Sequence, residues 1–134
     1  MRDLIEKINS CKKDVVFVGG VAEMLQGFRT ETRDIDICVL SLNGLETLGK
    51  IKQWETKSVF STSGKRAGIE TKDYTTDIFL EENLPEFVVV NGFKCETVHS
   101  LINRYTDIIK KLDTVTDFYS KNKMIKKLNN LCQQ

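Results

Sequence analysis

Apolar residues recur along this chain in two rhythms, one helical and one strand-like. Leu4, Ile5, Ile8 and Cys11 stand three or four apart, which predicts an amphipathic helix over Asp3–Lys13. Lys12 and Lys13 fall in its last turn, where cations suit the helix dipole. Val15–Val18 is an unbroken apolar run of β-branched and aromatic residues, as in a buried strand. Gly19 and Gly20 end it and let the backbone turn sharply. Val21–Gln26 then predicts a short helix, with Gly27 as its C-terminal stop. Asp34-Ile35-Asp36-Ile37 changes to strict alternation and predicts a second strand reaching about Leu40.

Beyond that strand, Asn43-Gly44 marks a turn. Asn43 with Glu46 has the spacing of a capping box, so a helix is expected, with Leu45, Leu48 and Ile51 inward and an end near Gln53 or Trp54. Lys57–Phe60 reads as a short strand. Ser61–Arg66 reads as a polar, basic loop without the spacing of a P-loop. Ala67–Thr71 and Tyr74–Glu81 predict two strands joined by a tight turn at Lys72-Asp73. After Pro85, Phe87–Val90 and Phe93–Cys95 flank Asn91-Gly92, a strong hairpin signal. Thr97 is placed to cap a long helix whose stripe is Val98, Leu101, Ile102, Tyr105, Ile108, Ile109 and Leu112. Thr114 or Thr116 would cap the last helix, with Ile125, Leu128 and Cys132 on its inner side.

Composition narrows the possibilities. At 134 residues, 40% hydrophobic and 29% charged, the chain suits one globular domain around a single core. A net charge of +1 excludes a general polycation. No apolar run is long enough for a membrane span, and the first residues, mixed in charge, lack the apolar region of a signal peptide. A cytoplasmic protein is expected. The cysteines at positions 11, 38, 95 and 132 form no Cys-x-x-Cys pair, and His99 is the single histidine. That argues against a zinc site, a disulfide framework and a histidine-based triad. The last helix carries Lys121, Lys123, Lys126 and Lys127 and no acid after Phe118. A solvated face is the expected meaning, and attraction of RNA or another polyanion the alternative.

Candidate chemistry lies in the alternating strand. Asp34 and Asp36 point to one face while Ile35 and Ile37 enter a core on the other. Two carboxylates side by side repel unless a cation joins them, and hard oxygen donors at this spacing suit Mg²⁺ or Mn²⁺. Asp77 interrupts another largely apolar strand and also needs a partner. Asp73 is its competitor, but has a turn-like context. Arg29 and Arg33, in the loop before the aspartates, are placed either to meet triphosphate oxygens or to neutralise nearby acids.

Gly19-Gly20, a short helix, then Arg29-x-x-Thr32-x-Asp34-Ile35-Asp36-Ile37 resembles the core of the minimal nucleotidyltransferases. That superfamily shares the DNA polymerase β nucleotidyltransferase fold and includes antibiotic nucleotidyltransferases, MNT antitoxins and AbiEii-type toxins. The likeness covers Val15–Leu40 well and the rest loosely. Gly20 stands where many members have serine, and the Lys-Asp part of a signature common near the C-terminus is absent.

The resemblance implies an α/β (α+β) fold, a mixed β-sheet flanked by helices, with a core over 14–95 and C-terminal helices over 97–133. It implies that Asp34, Asp36 and Asp77 hold Mg²⁺ and do the catalysis, with Gly19, Gly20, Arg29 and Arg33 on the nucleotide. The expected reaction moves a nucleoside monophosphate from an NTP to a hydroxyl of an RNA such as tRNA, a protein or a small molecule. In so short a chain, the C-terminal helices, a second copy or a partner protein would bind the acceptor. The alternatives are an inactive binding protein on this fold, such as an antitoxin or regulatory subunit, and a small RNA-binding module.

Overall fold

Period-two alternation in the central strands divides the molecule into two sides. The structure is a computed structural model that describes residues 1–54, 65–71, 74–112 and 118–133. The strand expected at Lys57–Phe60, the loop residues before Lys65, the Lys72-Asp73 turn and the caps at Thr114 and Thr116 fall outside them. The elements are α1 (Arg2–Cys11), β1 (Val16–Val18), α2 (Gly19–Leu25), β2 (Asp34–Val39), β3 (Ile51–Trp54), β4 (Lys65–Glu70), β5 (Thr75–Leu80), β6 (Phe87–Val90), β7 (Phe93–Glu96), α3 (Val98–Leu112) and α4 (Phe118–Cys132). The strands form one mixed sheet in the order β3-β4-β5-β2-β1-β7-β6. β2 runs antiparallel to β1 and parallel to β5, and β7 is parallel to β1.

On one side of β2, Ile35, Ile37 and Val39 are fully buried. They join Phe17, Ala67, Ile69, Ile78 and Cys95 from neighbouring strands, Ile5 and Ile8 from α1, and Leu45 in the main core. Asp34, Asp36 and Cys38 alternate to the other side, where Val16, Val18, Cys38 and Phe79 make a smaller apolar cluster.

Several local expectations are met. α1 buries Ile5 and Ile8 but ends at Cys11, so Lys12 and Lys13 lie past its last turn rather than in it, and Lys12 donates to Asn43 O at 2.9 Å. Thr97 caps α3: its hydroxyl accepts from the Ser100 N–H at 3.2 Å. Asn91 and Gly92, both with positive φ, turn the β6–β7 hairpin.

Two expectations are corrected. The helix expected from Asn43 to Trp54 is a single 3-10 turn, Leu45–Thr47, followed by strand β3. Gly44 has φ +91°, and the Thr47 hydroxyl bonds back to its carbonyl at 2.9 Å. Side chain-to-backbone bonds of this kind compete with helix. Leu45 still reaches the core, but β3 gains four register partners on β4, so sheet pairing outweighs the helical spacing. The second correction concerns α4. Met124 and Leu131 are its buried residues, Ile125 and Leu128 are half-buried, and Cys132 is exposed. The helix is turned by about one residue from the expected phase, which carries Lys123 and Lys127 toward the carboxylate-bearing side of the sheet.

Candidate functional site

The register of β2 against β5 aligns Asp36 directly with Asp77. Neighbouring strands lie about 4.8 Å apart, so these carboxylates share one small patch of the sheet. Asp34, opposite Thr75, lies two residues earlier on the same side and is exposed at the start of β2. β1 runs antiparallel to β2 with Val18 opposite Asp36, so the chain leaves β1 and enters α2 beside the aspartates.

Gly19 stands at that corner with φ +61°, and a Cβ there would lie 2.6 Å from Asp36 Oδ2. The left-handed backbone and the close carboxylate each require glycine. A Cβ on Gly20 would meet Arg29 Nη1 and Thr32 Oγ1, both at 2.7 Å. Gly20 therefore faces the loop before β2.

A cavity of about 250 Å³ opens over the aspartates. Val18, Gly19, Asp34, Asp36, Arg66, Asp77 and Phe79 form its sheet side, and Arg104, Tyr105, Ile108, Lys123, Met124 and Lys127 its helical side, with Tyr119 and Ser120 from the first turn of α4. The structure thus gathers Asp34, Asp36, Asp77 and Gly19 into one lining. Gly20, Arg29 and Arg33 are not among the lining residues. Arg29 turns to the buried Glu23, its Nη1 3.8 Å from Oε2. Arg33 is exposed. His99 is exposed too, at the first turn of α3.

The charges in the cavity are matched in part. Arg66 Nη2 lies 2.9 Å from Asp77 Oδ1, and its guanidinium sits 5.9 Å from the Phe79 ring centroid. Burial, then the Asp77 charge, pushes the Asp36 carboxyl up to about 7; Asp34 adds to the rise while Lys127 and Arg66 oppose it. Burial lowers the Lys127 ammonium, against the favourable pull of Asp36 and Glu23. The Lys127 Nζ lies 5.4 Å from the Tyr105 ring centroid. The Tyr105 hydroxyl donates to Glu23 Oε2 at 2.9 Å, and burial together with that carboxylate lifts its pKa well above the usual value.

Beside the cavity, Arg104 donates through Nε to Glu96 Oε1 at 2.9 Å, while its Nη1 lies 3.5 Å from Glu81 Oε1 and its Nη2 3.6 Å from Cys38 Sγ. Burial pushes the Cys38 thiol up to about 12, which keeps it protonated and unreactive.

Donor chemistry and register suit a hard divalent cation: Asp36 and Asp77 are adjacent, and Asp34 is within the same lining. As the side chains stand, no three His, Cys, Asp or Glu groups among the described residues converge into a ready-made metal cluster, and Asp77 is engaged by Arg66.

The sequence reading overlooked Arg66, Arg104, Tyr105 and Lys127. Arg66 stood at the end of an expected loop, and Lys127 on a helix face expected to meet solvent. The available signal was the spacing of Met124, Lys127 and Leu131, which places the lysine on one helical stripe with two apolar residues.

No known family model, curated protein or solved structure matches the chain.

Proposed function

We propose that this protein is a metal-dependent nucleotidyltransferase with the DNA polymerase β type of fold. The observation that carries the reading is the pairing of Asp36 with Asp77 across two parallel strands, with Asp34 and the Gly19 corner in the same cavity. Bound at these carboxylates, Mg²⁺ or Mn²⁺ would neutralise a triphosphate and favour in-line displacement at its α-phosphorus. Asp34, Asp36 and Asp77 would hold the cation, and Asp77 would accept the proton of the attacking hydroxyl. Gly19 lets the triphosphate approach the backbone at the corner before α2. Lys123 and Lys127 face the same cavity and supply positive charge for the phosphates. The products are a nucleotidylated acceptor and pyrophosphate. RNA, protein and small-molecule hydroxyls are all acceptors compatible with this chemistry. Incubation with each labelled NTP, Mg²⁺ and a cell extract should yield a labelled species that disappears in Asp36→Asn. Absence of label with all four nucleotides would overturn the reading.

One observation favours a second reading. The Arg66–Asp77 ion pair places an internal cation where catalysis needs a metal ligand. An inactive binding protein on the same fold, such as an antitoxin or regulatory subunit, would retain the cavity and use it to bind nucleotide without transfer. Nucleotide binding by the wild type that is indifferent to Mg²⁺ and to Asp77→Asn would favour it.

A further inference from the structure

Asp77 faces a glycine across the strand pair. In the β4–β5 register Gly68 is opposite Asp77, and Arg66, two residues earlier on the same side, is opposite Phe79. With no side chain at Gly68 in the way, Arg66 reaches along the sheet, over the Phe79 ring, to Asp77 Oδ1. The contact is not sealed: the Arg66 side chain is 32% exposed and that of Asp77 15%, and both line the cavity. Other cations there have different roles. Arg104 is tied to Glu81 and Glu96, and the Lys127 ammonium lies over the Tyr105 ring.

We propose that Arg66 is a built-in counter-cation that occupies Asp77 until a phosphate-bearing ligand draws the guanidinium away, so that divalent-cation binding at the carboxylates is coupled to nucleotide binding. The inference rests on the nucleotidyltransferase reading and adds to it an order of binding. A guanidinium and a divalent cation on one carboxylate repel each other, so they compete for Asp77. Guanidinium binds phosphate with the same two-pronged geometry it uses for carboxylate. A triphosphate in the cavity therefore gives Arg66 another partner and leaves Asp77 to the metal. Coupling of this kind is reciprocal: the cation must tighten nucleotide binding by the factor by which nucleotide tightens the cation's.

The test is Mn²⁺ binding to the full chain, followed by the electron paramagnetic resonance of the free ion, without nucleotide. Arg66→Gln should raise Mn²⁺ affinity about tenfold, within the usual range of coupling between sites. Arg66→Lys keeps the charge and the packing stem but loses the fork, and should give a smaller gain; it carries the test if the glutamine variant does not fold. In an Asp77→Asn background neither substitution should alter affinity. Unchanged or weakened Mn²⁺ binding in folded Arg66 variants, with binding still lost in Asp36→Asn, would overturn the counter-cation role and leave the transferase reading standing. Mn²⁺ binding that ignores Asp36→Asn as well would remove the metal site and both proposals together.

Discussion

Gly19 is the residue at which backbone and site chemistry meet. Its φ of +61° and the 2.6 Å between a built Cβ and Asp36 Oδ2 make two demands that alanine cannot meet. Gly19→Ala should cost about 1–2 kcal/mol from the left-handed backbone alone, and more from displacing the carboxylate. Gly27 supplies the control. Its φ is +85° but nothing lies within 4 Å, so Gly27→Ala should show the backbone cost without the clash. Equal losses of stability in denaturant titrations of the two variants would refute the close approach.

Asp36 carries a pH signature. Its carboxyl is raised from 3.8 to about 7 by burial and by Asp77. The folded protein therefore binds this proton more tightly than the unfolded chain does. In metal-free protein its contribution to stability is intact below the unfolded pKa and declines as pH rises from about 4 to about 7. Asp36→Asn removes the titration. Melting in a chelator should show the variant gaining on the wild type as the pH rises from about 4 to about 7; a gap that stays constant would contradict the raised pKa.

Among the elements, α3 is fastened to the sheet by Arg104. Its side chain is 12% exposed, and those of Glu81 and Glu96 are each 1% exposed. Arg104→Ala removes the cation shared by two buried carboxylates, leaving Glu96 with the Ser100 hydroxyl, and should cost about 3–5 kcal/mol, the scale of breaking a buried ion pair from one side. Arg104→Lys keeps the charge but not the fork, and should fall between alanine and wild type. A loss below about 1 kcal/mol in equilibrium unfolding of the alanine variant would show the network to be dispensable.

Legibility in the sequence varied with how local the deciding forces were. β1, the glycine corner, α2 and β2 could be read because each change of rhythm coincides with a glycine or with the Asp-Ile alternation. Thr97 and Asn91-Gly92 were equally plain, since capping and hairpin chemistry is complete within four residues. Leu45, Leu48 and Ile51 turn inward as expected, but the helix through them was misread because helical spacing says nothing of a waiting strand edge, and β4 supplied one. The phase of α4 failed for a related reason: Lys127 counts as polar in a sequence pattern, whereas it turns inward and sets its ammonium over the Tyr105 ring. The carboxylates were recognisable one by one. The resemblance also implied that the strand of Asp77 lies beside that of Asp34 and Asp36, as it does; the exact register, Asp36 opposite Asp77, could not be read, because it is set by pairing between distant segments.

At the scale of the whole molecule, the sheet separates two duties. One side buries the isoleucines of β2 with α1; the other presents carboxylates to a cavity that α3 and α4 also line, while both helices add buried residues to the main core. No helix among the described residues is long and apolar enough to cross a membrane.

The parallel alignment of Asp36 with Asp77 also bears on how the chain acquires its structure. The two residues are about forty positions apart, whereas the β6–β7 hairpin closes over two. Parallel strands must wait for long loops to close, so β2 meets β5 after the local hairpins have formed. The mutual repulsion of the aspartates is then absent from the early ensemble and is felt only once the last registers lock. Relieving it should leave the refolding rate nearly unchanged and slow unfolding. In stopped-flow kinetics without divalent cations, Asp36→Asn should move the unfolding limb down and leave the folding limb in place; a shift confined to the folding limb would mean that the central strands pair first.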